Sequence, residues 1–299
     1  MLSNKYYGML SAAAILWGIQ PIFVKIAVAE ITPASLISLR YIFLSSTLFL
    51  IMKIAGEKQF FPPKDCWVRL CLMGFTGVAV NNCAQFSGLQ YSTVANATLI
   101  ATLTPAVTAF LAAVFLRERL NVLQWLGIFV SMGGTLYLIS NGSLDMLLHT
   151  SFNKGDVLFF LAQTMWASYC LLSIRVMKKM SVFSVTAWAG IIGGIFTAVY
   201  GAFTDGLSLP ALSLPALLSI GFIIWCGGAA ALMFWNIGVK HAGASSAAVF
   251  LNLMPLVGIV GAAFTIGEVL TVQEGIGAVV ILSGVYVTTH SMQLIKFRR

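Results

Sequence analysis

Three amides interrupt an apolar run in this 299-residue chain: Asn81, Asn82 and Gln85. Residues 81 and 85 stand one helical turn apart and share a face. A primary amide carries two donors and an acceptor, so such a face can hydrogen-bond a polar solute or glue one helix to another. Both readings stand for this pair. Gln20, directly before Pro21, sits where the proline frees a backbone carbonyl; it lines a cavity or simply marks a bend. Arg40 is a permanent cation about six residues inside another apolar run, roughly 9 Å deep at 1.5 Å per residue. It can attract a carboxylate or anchor its helix by donating to carbonyls. Trp17 and Trp166, with Tyr169 three residues on, can wall a cavity and stack on a planar or apolar solute, although belts and packing explain most membrane tryptophans. Asn96, Thr98, Thr102 and Thr104 run in register with Ser245, Ser246 and Asn252. Pro105 and Pro255 follow these stretches at equivalent depths and would loosen both helices, giving bending points.

Other chemistry lacks its residues. The chain has no G-x-x-x-x-G-K-[ST] phosphate loop, which argues against ATP hydrolysis. It has no H-E-x-x-H, no G-x-S-x-G and no paired aspartates, so an intramembrane enzyme would lack its nucleophile or metal set. Glu30, Glu118, Asp145, Asp156, Asp205, Glu268 and Glu274 all fall near the ends of apolar runs, which leaves a mid-membrane proton relay unsupported. His149 and His241 belong to loops and His290 to a run's end. The five cysteines lack metal-ligand spacing and read as small packing residues. No cofactor is expected.

The elements that must position these residues are membrane helices. Hydrophobic residues make up 59% of the chain, charged residues 9%, and the mean hydropathy is +0.94. About ten apolar stretches of roughly 18 to 25 residues, each able to cross about 30 Å of hydrocarbon, can be cut at charged or turn-rich gaps. The N-terminal run resembles a signal peptide, but its length, Trp17, Gln20, Pro21 and the runs that follow make it a first span. A net charge of +8 would point to nucleic acid in a soluble protein. Here the cations sit between spans, and nucleic acid is not an expected partner.

With the N-terminus inside, fourteen of the seventeen lysines and arginines fall on the cytoplasmic side. Only Lys25 and Lys154 fall outside, and Arg40 lies within a span. This split supports ten spans with both termini cytoplasmic. The chain also repeats itself. Pro105 and Pro255, Glu118 and Glu268, Gly127 and Gly277, and Gly134 and Gly284 are each 150 positions apart. Five spans per copy is an odd number, so the second copy crosses the membrane in the opposite sense. The expectation is an all-α membrane protein of ten transmembrane helices in two inverted five-helix repeats, residues 1–140 and 155–290.

The motifs resemble the drug/metabolite transporter superfamily, EamA type, over essentially the whole chain. They are Ile15-Leu-Trp17-Gly, Leu39-Arg40-Tyr41, Ala95 through Thr104-Pro105, Leu116-Arg-Glu118-Arg-Leu and Gln124-Trp-Leu-Gly127 in the first half. Gly155-Asp156, Met165-Trp166-Ala167, Leu253-Met-Pro255, Gly267-Glu268-Val-Leu and Gly275-Ile-Gly277 follow in the second. The resemblance implies a ten-helix carrier of small metabolites, often amino acids or related compounds moved outward, with a cavity between the repeats. An arginine at the place of Arg40 accompanies the family whatever the substrate, which favours the anchor reading. The copies depart from one another where Arg40 meets Gly190 and Tyr91 meets His241. A sugar-phosphate exchanger would need several cavity cations, and Arg40 with Lys25 is too few. The alternatives are a channel-like passive pore and an intramembrane enzyme. The expected location is the bacterial inner membrane, with a small-molecule substrate and the lipid bilayer as partners; the oligomeric state is left open.

Overall fold

The computed structural model describes residues 4–57, 60–149, 153–204, 206–208, 210–266 and 271–296; among them every regular element is helical. Lys58, Asp205, the Gly267-Glu268-Val-Leu motif, Arg298 and Arg299 lie outside the described residues.

Helix starts follow side chains that accept from orphan backbone N–H groups. Thr32 caps the second span, with Pro33 in its first turn. Thr93 caps the fourth span, Ser181 the seventh and Ser213 the eighth. Asn121 with Gln124 and Asn153 with Asp156 form reciprocal capping boxes at the fifth and sixth. The spans are Asn4–Ala27, Pro33–Ile54, 67–89, 94–116, Val122–Ile139, Lys154–Val176, Val182–Phe203, Leu214–Ala242, 244–266 and Val272–Lys296. Nine of these regions contain a helix long and apolar enough to cross a membrane. The third, 67–89, completes the ten; its amides and Arg69 dilute its apolar character, while its helix runs on unbroken. Phe43, Leu50, Phe75, Phe110, Phe129 and Leu282 point outward and supply a lipid-facing coat.

The packing follows the repeat. The first span lies against the eighth and ninth, and the sixth against the third and fourth. The second span packs on the seventh, the fourth on the ninth and the fifth on the tenth. Each of these pairings either maps onto another or onto itself when the two halves are exchanged, as inverted repeats require. Lipid tails are as apolar as leucine, so close backbone approach has to hold such helices together. Gly127 and Gly284 show how: a Cβ at Gly127 would stand 2.7 Å from the Gly284 carbonyl oxygen, and one at Gly284 would stand 2.6 Å from the Gly127 oxygen. Repeat-marking glycines therefore set the contact between the fifth and tenth spans.

The fourth span breaks before Pro105, where Val94–Ala101 gives way to a new helix from Thr104. The ninth tightens to a 3-10 turn over Val249–Asn252 before the helix bearing Pro255. Both irregularities sit on the N-terminal side of a proline, which cannot donate to the turn before it.

Candidate functional site

The third helix of each repeat widens into a π-helical segment, Gly74–Val80 in the third span and Phe222–Ala230 in the eighth. The two segments end 150 positions apart. Each carries a glycine pressed against the leading helix of the opposite repeat. A Cβ on Gly77 would collide with the Tyr169 ring, and one on Gly227 with the Gln20 side-chain oxygen. Widened turns of this kind shift backbone polar groups out of the helical ladder. The Gly227 carbonyl oxygen accepts from Trp17 Nε1 at 2.8 Å and from Arg40 Nη2 at 2.8 Å. Arg40 also donates to Gln20 Oε1 at 3.3 Å, and its guanidinium carbon lies 5.3 Å from the centre of the Tyr41 ring. Arg40 is buried, and among the described residues no carboxylate pairs with it.

Next to this cluster the two repeats meet through aromatic rings. Trp17 and Trp166 are edge to face at 5.5 Å, Trp17 and Trp235 tilt at 5.4 Å, and Trp166 stacks on Tyr169 at 5.3 Å. A void of about 10 Å³ lies beside them, lined by Tyr41, Gly77, Trp166, Tyr169, Thr186 and Gly190 among others. That is room for roughly one water-sized group. Asn236, fully buried, sits behind it and donates from Nδ2 to the Tyr169 hydroxyl and to Thr186 Oγ1, both at 2.9 Å. Thr186 has already given its proton to the Val182 carbonyl oxygen at 2.7 Å. It must therefore accept, and this fixes which way the Asn236 amide faces. Among the described residues Asn236 Oδ1 has no partner.

The third-span amides lie off this centre. Asn81 donates to the Ala162 carbonyl of the sixth span at 2.8 Å, and Gln85, which is exposed, donates to Asn81 Oδ1 at 3.2 Å. Asn82 folds back onto the Val78 carbonyl of its own helix. Thr104 gives its proton to the Ala101 carbonyl at 2.6 Å and stands 2.9 Å from the side-chain amide of Gln163, and Thr102 donates to the Leu99 carbonyl next to the helix break. Asn252 donates to Ser131 Oγ of the fifth span at 2.9 Å. Of the candidates read from the sequence, Trp17, Gln20, Arg40, Trp166 and Tyr169 come together. Asn81 and Gln85 form a neighbouring pair, and Thr102 and Asn252 sit at the helix irregularities.

Asn96 and Ser245 occupy the starts of their spans, at opposite ends of the molecule. Asp156, 4% exposed, accepts from Ser92 Oγ at 2.5 Å, from Asn96 Nδ2 at 3.1 and 3.2 Å, and from the Asn153 backbone N–H at 2.6 Å. At the other end Glu118 accepts from the hydroxyl and backbone N–H of Ser245. Polar links thus join the two repeats at both ends. Loop contacts add to them. Glu30 takes the backbone N–H and hydroxyl of Ser213, whose hydrogen bonds hold its carboxyl below the usual range. Asp65 takes Lys179, whose hydrogen bond does the same.

Sequence reasoning passed over Asn236, Thr186 and the Gly227 carbonyl. Asn236 was legible as a lone amide in an apolar span, but its repeat mate is Phe86, so the internal comparison gives it no emphasis. The paired Gly77 and Gly227 were the only mark left by the widened helices.

A sequence profile described as the EamA-like transporter family matches residues 4–140 and again 153–290. An uncharacterized transporter of Bacillus subtilis, YyaM, is 29% identical over 97% of this chain and 95% of its own. A probable amino-acid metabolite efflux pump of Escherichia coli is 24% identical over 98% and 97%. A solved crystal structure, 18% identical, superposes with a TM-score of 0.82 over 98% of this chain and 99% of that one, and so shares the fold.

Proposed function

The chain belongs to the EamA-like transporter family and is a multi-pass membrane transporter, and we propose that it carries a small polar metabolite, such as an amino acid, outward by alternating access. The observation that carries this reading is the central cluster, which both repeats build in the same way. Trp17 and Gln20 lean on the widened eighth span, while Tyr169, stacked on Trp166, leans on the widened third. A shared site at the boundary of inverted repeats can be uncovered first on one side and then on the other as one repeat rocks against its mate. Links at both ends, Asp156 with Ser92 and Asn96, and Glu118 with Ser245, are placed to break alternately.

A metabolite needs several hundred Å³, far more than the central void provides. Loading therefore demands that the repeats part. Arg40 serves as the anchor: it ties the second span to the widened eighth while the aromatic rings wall the site. Pro105 and Pro255 mark where the fourth and ninth spans bend. Charge placement supports the bacterial inner membrane with both termini in the cytoplasm. The likeness to an amino-acid metabolite efflux pump is consistent with the proposed solute class.

Purified chain in sealed vesicles, loaded with a mixture of amino acids, tests the reading. Saturable release that speeds up when the same solute is present outside is the expected outcome for a carrier. Release that is linear in concentration and indifferent to outside solute would mark a pore and overturn it.

A further inference from the structure

The third and seventh spans, one from each repeat, touch backbone to backbone: a Cβ on Gly74 would stand 2.7 Å from the Gly193 nitrogen. Beside that contact a groove of about 370 Å³ opens on the outer surface, lined by Trp67, Val68, Cys71, Leu72, Phe75 and Phe196. Five of these belong to the third span, and their spacing places them on one helical stripe. Val68, Leu72 and Phe75 are exposed, so the stripe faces lipid. Phe75 meets Phe196 at one end of the groove, ring centroids 5.7 Å apart, and Trp67 meets Trp188 at the other, 5.1 Å apart. From Trp67 to Phe75 the helix rises about 12 Å. Half of the hydrocarbon thickness is about 15 Å. The groove therefore stays within one leaflet, at the end of the molecule that charge placement assigns to the cytoplasm.

Cations gather at that end. The connections between the second and third spans and between the sixth and seventh carry, with their flanking turns, Lys53, Lys64, Arg69, Arg175, Lys178 and Lys179 among the described residues, against the acids Glu57 and Asp65. Asp65 holds both Lys179 and Arg69, which ties the two connections together and brings Lys64 and Lys178 to the same corner. Lys64 and Lys178 are exposed and have no ion pair among the described residues.

We propose that the groove holds one acyl chain of an anionic diacyl phospholipid from the cytoplasmic leaflet, with its headgroup paired to Lys64 and Lys178. The apolar lining accepts the chain, and the charge surplus at the mouth selects the headgroup. Each lysine or arginine near an anionic lipid surface contributes about fivefold in affinity. A zwitterionic headgroup brings its own ammonium and forfeits most of that gain. A second copy docked here about a two-fold axis would bring the same cations to the same corner, where like charges repel.

The full-length chain, reconstituted in phosphatidylcholine vesicles, tests this with a low mole fraction of brominated lipid, whose bromines quench nearby tryptophans. Brominated phosphatidylglycerol is compared with brominated phosphatidylcholine, and the quenching due to Trp67 is the difference between the wild type and Trp67→Phe. Trp125, also half-buried and near the start of the fifth span on the same side, is isolated in the same way as a control. At Trp67 the anionic lipid is expected to be preferred at least about fivefold. Lys64→Gln with Lys178→Gln leaves the contact of Asp65 with Lys179 in place and should bring the preference close to one. Salt at about 1 M should do the same, because it screens charges beyond about 3 Å. Trp125 should show little preference.

Equal quenching of Trp67 by the two lipids would overturn the site, since the groove would then hold ordinary bilayer lipid. An equal anionic preference at Trp125 would overturn it as well, by showing a general enrichment around the cytoplasmic end. So would a preference that survives the double lysine variant, or a Trp67 that neither lipid quenches, which would mean that another occupant covers the groove. Solute release from the same vesicles is read separately, so failure of the lipid site and failure of the transport reading are distinguishable.

Discussion

Trp17 and Trp166, 149 residues apart in the chain, meet edge to face with ring centroids 5.5 Å apart and planes at 84°. One ring comes from the leading helix of each repeat, so the contact lies across the boundary at which the proposed alternating access would move them. Edge-to-face pairs contribute about 1 kcal/mol beyond the area they bury. Such a contact is strong enough to define a closed arrangement and weak enough to be exchanged for a solute.

Replacing one ring therefore separates packing from transport. Trp166→Phe keeps an aromatic edge and is expected to retain most flux. Trp166→Ala opens a gap beside Trp235 and Tyr169 and should cost about 3 kcal/mol of stability, with at least a tenfold loss of flux. Thermal unfolding in detergent and release from vesicles measure the two effects independently.

A buried guanidinium held by neutral acceptors is sensitive to losing either one. Gln20→Leu leaves Arg40 with the Gly227 oxygen alone and is expected to destabilise the protein by roughly 1–3 kcal/mol. Arg40→Met removes the charge together with its need for partners and should cost less than stripping the partner away. The double variant should then be no worse than Arg40→Met. A double-mutant cycle of melting temperatures checks this, and strict additivity would show that the two side chains are not coupled.

Asp156 gathers donors from the third-to-fourth connection, the fourth span and its own helix cap. Asp156→Asn keeps one oxygen for them, whereas Asp156→Ala keeps none. The expected order of melting temperature is wild type, then Asn, then Ala, with the alanine variant down by about 2 kcal/mol. A cysteine at Ser92 should also react faster with a membrane-impermeant thiol reagent in the alanine variant.

The contact of Asp65 with Lys179 gives stability a direction in pH. Its hydrogen bond from Lys179 holds the Asp65 carboxyl below the usual range in the folded protein. A depressed carboxyl contributes stability that is present above its unfolded value, about pH 4, and is lost as pH falls through its folded value. The difference in melting temperature between wild type and Asp65→Asn should therefore be small but measurable at pH 7 and vanish near pH 2. A difference that grew on acidification would contradict the assignment.

The repeat was legible because the residues that mark it are the ones that pack the halves together. Gly127 and Gly284 touch, and Trp17 and Trp166 touch. The third-span stripe was legible as a pair, since Asn81 and Gln85 do meet one turn apart. The acceptor for Asn81 could not be read, because the Ala162 carbonyl belongs to the backbone and leaves no side-chain trace. The same holds for Gly227, whose oxygen organises Trp17 and Arg40. The widened helices were hidden for a related reason: a π-helical turn is a change in backbone bonding, and Gly77 and Gly227 read equally well as ordinary packing residues.

The most direct test of the central claim compares metabolites inside and outside cells that overproduce this chain with cells that produce Trp166→Ala at equal membrane abundance. The expected result is one or a few small polar metabolites, amino acids among them, that accumulate outside only with the intact protein. Identical metabolite distributions in the two strains and in cells lacking the chain would contradict export through the central cluster.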